Sequence, residues 1–316
     1  MAAPKPTVVP LPGFDKDSDA AVLRKAMKGL GTDEKAIINV LVCRSNNQRQ
    51  EIAAHFKTAY GKDLITDLKK ELTGDFEDGV LGLMDPFPVY DARCLKKAMK
   101  GVGTDESTLL EILCARNNAQ IKAIKDAYKK TYHNDLESDL QSETSGYLKR
   151  TLTGLVQGNR DESMAVDAAK AKNDAQTLYE AGEKKLGTDE SEFQRILVTR
   201  SWLQMRAIFD EYGKIAGRSI EESIKREMSG DLERAYLNIV KFARSPPEYF
   251  AEVLHKAMKG VGTDEDRLTR TLITRSEIDL GDIKEAYQAK YEKPLAKAVE
   301  SEVGGDFKKL LLGLIK

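Results

Sequence analysis

The chain has 316 residues, and its 50 lysines and arginines nearly balance its 51 aspartates and glutamates, which leaves a formal net charge of −1. A constitutive nucleic-acid binder usually carries a basic surplus, so this balance argues against such a partner. Hydrophobic residues make up 41% of the chain and no block of like charges is long, which argues against an acidic disordered protein. The length predicts one large or two ordinary domains.

The first residues, MAAPKP, lack the apolar core of a signal peptide, and no apolar run approaches the ~20 residues that span a bilayer. Three cysteines are too few, and odd in number, for a disulfide framework. Cys43, Cys94 and Cys114 lie in apolar helical patterns, so we expect buried thiols rather than reactive ones. These features predict a soluble protein of the reducing cytoplasm.

Residues 1–13 carry four prolines and are expected to be extended, and five short helices should follow. Alternating β-branched runs, typical of strands, are absent. Ser45 to Gln48 has the form of a capping box that opens the third helix, and the Thr32 hydroxyl is expected to cap the second. The apolar faces comprise, helix by helix, Val22, Leu23, Ala26 and Met27; Ile37, Val40 and Leu41; Ile52, Phe56, Ala59 and Tyr60; Leu64, Ile65, Leu68 and Leu72; Phe76, Val80, Leu81 and Met84.

A glycine motif recurs along the chain: GLGTDE at 29–34, GVGTDE at 101–106, KLGTDE at 185–190 and GVGTDE at 260–265. A lysine precedes each motif threonine by four residues, an arginine follows by 12, and a glutamate by 39. Identical offsets indicate one unit used four times, and therefore an all-α fold of four repeats of about five helices each. The residues concerned are Lys28, Lys100, Lys184 and Lys259; Arg44, Arg116, Arg200 and Arg275; Glu71, Glu143, Glu227 and Glu302.

The motif threonines are 72, 84 and 75 residues apart, and the long middle interval predicts a linker between repeats two and three. Ser245-Pro246-Pro247 marks the joint before repeat four. The predicted organisation is a proline-rich tail at 1–13, repeat one at 14–85, repeat two at 86–157, a linker at 158–166, repeat three at 167–241 and repeat four at 242–316.

The glycine motif has two interpretations. A helix–helix connection would use glycine as a C-cap and threonine as the next N-cap, but it predicts one glycine rather than a pair. A calcium loop would use both glycines to turn backbone carbonyls toward one point, with a carboxylate completing the shell. A single glutamate 39 residues later is typically a solvated surface charge. Four copies at one offset favour a ligand.

Four such repeats resemble the annexins, and the resemblance covers Phe14 to Lys316. ELTG at 71–74, ETSG at 143–146, EMSG at 227–230 and RSEIDL at 275–280 also match the family. The resemblance implies a curved disc whose convex face carries the loops. It also implies calcium-dependent binding to membranes rich in anionic, phosphatidylserine-like phospholipid. The protein would then be cytoplasmic and become peripheral at membranes when calcium rises.

The resemblance also implies the Ca²⁺ ligands. In repeat three Lys185 stands where the other motifs have glycine, so that site is expected to be weaker or to need membrane to order it. The implied ligands are backbone carbonyls and one carboxylate in each repeat: Met27, Gly29, Gly31 and Glu71; Met99, Gly101, Gly103 and Glu143; Gly182, Lys185, Gly187 and Glu227; Met258, Gly260, Gly262 and Glu302.

The residue between the glycines is apolar in every repeat. Four apolar tips on one face would insert at the lipid interface; alternatively, each packs locally. The motif lysines would attract an anionic leaflet, or they are solvated last-turn lysines that the helix dipole favours. The predicted membrane-contacting residues are Leu30, Val102, Leu186 and Val261.

Other functions find little support in the sequence. Asp15 to Asp19 imitates the start of an EF-hand, but Ala20 and Ala26 replace its glycine and closing glutamate. Neither a phosphate-binding loop nor a nucleophile motif is present, and the three histidines lack metal-ligand spacing, so we expect no enzyme.

Several assignments stay open. The rival to membrane binding is a helical scaffold for a protein partner, which would ignore a calcium chelator. Self-association on the membrane and a cytoskeletal partner are open, and no strong partner is expected for the tail. The four arginines are expected to tie helix ends together, and Trp202 to pack in the core or at a cap. Family positions at Asp91, Glu111, Arg116 and Arg270 would line a polar passage or form an ion-pair network.

Overall fold

The structure, a computed structural model, describes residues 3–29, 31–101, 103–184 and 188–316. These residues form twenty α-helices and no strand, which confirms the predicted all-α fold. No helix among them is long and apolar enough to cross a membrane. In chain order the helices are α1 Lys16–Ala26, α2 Glu34–Leu41, α3 Asn46–Tyr60, α4 Leu64–Glu71, α5 Gly74–Met84, α6 Phe87–Ala98, α7 Glu106–Ala115, α8 Asn118–Tyr132, α9 Leu136–Glu143, α10 Gly146–Val156, α11 Ala168–Ala181, α12 Glu190–Thr199, α13 Trp202–Ala216, α14 Ile220–Glu227, α15 Gly230–Arg244, α16 Pro246–Ala257, α17 Glu265–Ser276, α18 Leu280–Tyr291, α19 Leu295–Glu302 and α20 Gly305–Ile315.

The chain divides into two compact units. Unit one comprises residues 1–90 and 250–316, and unit two comprises residues 91–249. Unit one therefore holds most of predicted repeats one and four, and unit two holds most of repeats two and three. The predicted boundary at 241/242 falls inside α15. The helix break lies at Ser245, immediately before α16 begins at Pro246.

The five helices expected in repeat one are all present. The capping box of α3 forms as predicted, between Ser45 and Gln48. The cap predicted for α2 was wrong: the Asp33 carboxylate accepts the Ala36 N–H at 2.9 Å, so the hydroxyl of Thr32 is not its cap. Most predicted apolar faces are buried, but Val22 and Ala59 are exposed.

The motif arginines tie helices together, as predicted. In the first three repeats each makes two hydrogen bonds to an aspartate on the first helix of its repeat. Phe250 occupies the aspartate position in repeat four, and Arg275 instead pairs with Asp279, with its guanidinium 4.5 Å from the Phe250 ring. The other pairs are Arg44–Asp19, Arg116–Asp91 and Arg200–Asp174.

Arg160 anchors the segment between α10 and α11, where the linker was predicted. Arg160 donates to the carbonyls of Leu197 and Arg200 at 2.8 and 2.6 Å. Its guanidinium lies 3.8 Å from the ring of Trp202, which also packs edge-on against Phe242. The packing role predicted for Trp202 is therefore confirmed.

The tail has no helix or strand from residue 3 to residue 13. Within unit one, the N–H groups of Thr7 and Val8 donate to the carbonyl of Ser276, and Leu11 and Gln48 exchange two hydrogen bonds. The tail is thus fixed to the helices of its own unit.

The cysteines follow the prediction only in part. Cys114 is buried, and its burial raises the pKa of the thiol to about 12. Cys94 is half-buried. Cys43 is exposed, so its predicted burial was wrong, because it lies in the turn after α2 rather than on the apolar face.

Candidate metal centres

The paired glycines of the motif adopt left-handed backbone conformations. The φ angles are 112° and 85° at Gly29 and Gly31, 103° and 88° in repeat two, and 118° and 85° in repeat four. Residues with a Cβ rarely adopt such angles, so the turn explains why the motif needs two glycines. A backbone hydrogen bond of 2.8 or 2.9 Å closes each of these three loops. The N–H of the motif aspartate donates to the carbonyl of the last alanine of the preceding helix: Asp33 to Ala26, Asp105 to Ala98 and Asp264 to Ala257.

The glutamate 39 residues after each motif threonine lies beside its loop. In repeats one and four the threonine hydroxyl donates to the glutamate carboxylate, and in repeats two and three it donates to the glutamate backbone carbonyl. These bonds place the end of the fourth helix of each repeat against the motif. They are Thr32–Glu71 at 3.0 Å, Thr263–Glu302 at 3.4 Å, Thr104–Glu143 at 3.1 Å and Thr188–Glu227 at 3.4 Å.

The other predicted site residues fall into three groups. The methionine side chains that precede the loops of repeats one, two and four are buried, and they anchor the backbone whose carbonyls were predicted as ligands: Met27, Met99 and Met258. Val261, at the tip of the repeat-four loop, is fully exposed. Leu30, Val102, Lys185, Leu186 and Gly187 lie outside the described residues.

Repeat three builds the start of its loop differently. The closing hydrogen bond runs from Asp189 to Ala181 at 2.8 Å, so its loop is one residue longer than the other three. Gly182, the first predicted ligand, has a φ of −110°, outside the left-handed region. A simple count of residues between Ala181 and Asp189 would have found this insertion in the sequence.

Each unit has an open cleft beside these glutamates. The cleft of unit one, about 440 Å³, is lined by both Glu71 and Glu302. The cleft of unit two, about 430 Å³, is lined by Glu143. The other carboxylates around these clefts were not predicted, although acidic residues in a first helical turn were a visible signal. They are Glu34, Asp75, Glu265 and Asp306 in unit one, and Glu106 and Asp231 in unit two.

The candidate metal-ligand atoms around the loops are backbone carbonyl and glutamate carboxylate oxygens, the ligand type that a hard divalent cation requires. Among the described residues, no three acidic, histidine or cysteine side chains converge as a metal site would need. In repeats one, two and four the positive-φ turns and the adjacent glutamates fit the Ca²⁺ ligand set that the resemblance implies, backbone carbonyls with one carboxylate.

Fold and loops together define an all-helical protein of four five-helix repeats, each with a loop beside a glutamate. The annexin family model matches the chain four times, at residues 18–83, 90–155, 173–239 and 249–314. The chain belongs to the annexin family, whose members bind phospholipid membranes in a calcium-dependent manner and are generally not enzymes.

The relatives match nearly the whole chain. Human annexin A11 is 52% identical over 306 residues, which cover 97% of this chain but 61% of that protein. The solved structure of annexin III has 46% identity and a TM-score of 0.97, covering 99% of this chain and 97% of that one. A structure described as calcium-bound annexin (Sm)1 has 35% identity and a TM-score of 0.91, covering 99% and 93% of the two chains.

Proposed function

We propose that this chain binds anionic phospholipid membranes, and that Ca²⁺ at its four loops joins the protein to lipid phosphate. The observation that carries the proposal is the contact between each motif threonine and the glutamate 39 residues later. The proposed ligands are the loop carbonyls and the glutamate of each repeat: Met27, Gly29, Gly31 and Glu71; Met99, Gly101, Gly103 and Glu143; Gly182, Lys185, Gly187 and Glu227; Met258, Gly260, Gly262 and Glu302.

The charge of each site explains why binding would depend on lipid. A loop offers one carboxylate and otherwise neutral carbonyls, so a bound dication keeps about one unit of positive charge. An anionic phosphate can supply the missing ligand and charge. A site with so few charged ligands should be weak in solution, toward the weak end of the ~10⁻⁹ to 10⁻³ M range known for calcium sites. Calcium and lipid should then strengthen each other's binding by the same factor.

The exposed tip of the repeat-four loop supports a second contact with lipid. Val261 has no local packing, which favours insertion over the packing alternative at that loop. Full burial of one such side chain contributes about 1.5–3 kcal/mol. We extend the role to Leu30, Val102 and Leu186 because they occupy the same motif position. The calcium-free protein would remain in the cytoplasm and move to the membrane when calcium rises.

The test is sedimentation with phosphatidylserine vesicles over a range of calcium concentrations. The wild type should reach half-maximal binding at far lower calcium than its solution affinity requires. The quadruple variant Glu71→Gln, Glu143→Gln, Glu227→Gln and Glu302→Gln should lose vesicle binding, because each loop then lacks its carboxylate.

A matched control replaces two exposed glutamates away from the loops, Glu51→Gln and Glu292→Gln, and should bind as the wild type does. Unchanged binding by the quadruple variant would refute the ligand assignment. Vesicle binding that persists with a calcium chelator would favour the helical scaffold instead.

A further inference from the structure

The loop of repeat three carries a carboxylate that the other loops lack. Its extra residue adds Glu183 directly after Gly182, at the point where the other repeats place a buried methionine. Only 12% of the Glu183 side chain is exposed. A carboxylate this deeply buried needs partners, because burial without them is costly.

Glu183 finds those partners on α14 and just before it. Arg218 Nη1 donates to both carboxylate oxygens at 3.2 Å, and the Ser223 hydroxyl donates to Oε1 at 2.7 Å. Arg218 directly precedes Ser219, the N-cap of α14, and Ser223 is buried within that helix. The start of the loop is therefore fastened to α14.

The same helix carries the proposed carboxylate ligand of this repeat. Ser223 lies four residues before Glu227, so the two side chains share one face of α14. At the far end of the loop, the Thr188 hydroxyl donates to the carbonyl of Glu227 at 3.4 Å. The described residues on both sides of the loop are thus bonded to α14.

Repeats one and two connect the corresponding helices with the charges reversed. The residue four before the glutamate ligand is an aspartate there, and it pairs with a cation on the first helix. Asp139 Oδ2 lies 2.9 Å from Lys96 Nζ, and Asp67 Oδ2 lies 3.7 Å from Arg24 Nη1. In repeat three, the position of this aspartate is Ser223, and the negative charge comes from Glu183.

We infer that Glu183 and Arg218 are positioning residues for the repeat-three site. Their ion pair, with the Ser223 hydrogen bond, holds Gly182 at a fixed separation from Glu227, the first and last proposed ligands. This inference rests on the proposed function, because it assumes that Gly182 and Glu227 bind Ca²⁺. Preorganised ligands lose less conformational entropy when the ion binds.

The test isolates repeat three by Glu71→Gln, Glu143→Gln and Glu302→Gln in the full-length chain. Calcium is titrated by calorimetry and by sedimentation with vesicles of phosphatidylserine and phosphatidylcholine. Adding Arg218→Gln or Glu183→Gln should each weaken calcium binding about tenfold, the usual scale for residues that support metal ligands. Arg218→Lys should recover part of that loss.

The direction of the Arg218→Gln effect is decisive. Removing a nearby positive charge would strengthen cation binding if the pair acted only through space, whereas loss of positioning weakens it. Lys122→Gln, which removes an exposed positive charge of α8 in the same unit, should change nothing. Thermal unfolding without calcium verifies that each variant is folded, and Arg218 is exposed enough to replace.

The outcomes distinguish a failure of the positioning role from a failure of the proposed calcium site. If the isolated repeat-three background binds no calcium, the proposed site fails there and the inference falls with it. If the background binds but Arg218→Gln binds equally well or more tightly, the positioning role alone is overturned.

Discussion

Units one and two carry the same motif offsets but bond their glutamates differently. In unit one the threonine hydroxyls reach carboxylate oxygens, at Glu71 and Glu302. In unit two they reach backbone carbonyls, at Glu143 and Glu227, and leave the carboxylates out of the bond. One sequence spacing therefore gives two arrangements of the proposed ligand.

The clefts of the two units also differ in the number of carboxylates that line them. Six carboxylates line the described cleft of unit one, against three in that of unit two. Tyr147 occupies, at the start of α10, the position that Asp75 holds in α5. From this comparison we expect the local field around the loops, and not the loop motif alone, to set how strongly each unit would attract a cation.

The largest expected effect comes from removing the ligands of one unit at a time. Glu71→Gln with Glu302→Gln should raise the calcium needed for half-maximal vesicle binding about thirtyfold, because both carboxylates line one cleft and each contributes about 1 kcal/mol in water. Glu143→Gln with Glu227→Gln should raise it less, about fivefold, because only Glu143 of that pair lines the described cleft of unit two. Sedimentation at two ionic strengths measures both shifts, and high salt should narrow the difference. Equal shifts at low salt would contradict the comparison.

A smaller effect should follow from the loop tips, where the units are expected to behave alike. Val261→Ser in unit one and Val102→Ser in unit two replace valines at the same motif position. Each should weaken vesicle binding by up to about tenfold, the scale for loss of about 1.5 kcal/mol of apolar burial, and leave solution calcium binding unchanged. Val22→Ser, at an exposed valine of α1, is the control. A loss confined to Val261 would mean that the repeat-four loop inserts and the repeat-two loop does not.

Helical periodicity and fixed offsets were sufficient to predict the helices, the four repeats and the position of each glutamate beside its loop. The capping box at Ser45 follows from local rules, and the glutamate 39 residues later lies beside its loop in every repeat. Val22 and Cys43 were misplaced because periodicity does not fix where an apolar face ends. Thr32 was misassigned because Asp33, one residue on, caps α2 while the hydroxyl turns to Glu71.

Contacts distant in sequence were harder to predict. The replacement of an aspartate by Phe250 in repeat four was visible, but the turn of Arg275 toward Asp279 depends on packing in three dimensions. The pairing of Glu183 with Arg218 joins residues 35 positions apart with no motif to mark them. Such pairs form because buried charges need partners, and a single sequence does not say which partner the fold brings near.

The smallest expected effect tests the threonine contacts that separate the units. Thr32→Val should lower the calcium affinity of unit one about fivefold, since a hydrogen bond contributes ~1 kcal/mol and here orients the carboxylate. Thr104→Val removes a bond to a backbone carbonyl, so it should lower thermal stability by a similar free energy but leave the calcium affinity of unit two unchanged. The calcium affinity of unit one is measured by calorimetric titration in the Glu143→Gln, Glu227→Gln background, and that of unit two in the Glu71→Gln, Glu302→Gln background. Thermal unfolding measures the change in stability.

Serine at either position keeps the hydroxyl and should restore the wild-type values in both measurements. If Thr32→Val and Thr104→Val reduced calcium affinity by the same factor, the hydroxyl would act by fixing the end of the helix in both units. The carboxylate contact of unit one would then have no separate role. If only Thr32→Val reduced the calcium affinity, the difference between the units would lie in the orientation of the glutamate side chain. Both threonines contact the end of the fourth helix of their repeat, so the position of that helix end would not explain the difference.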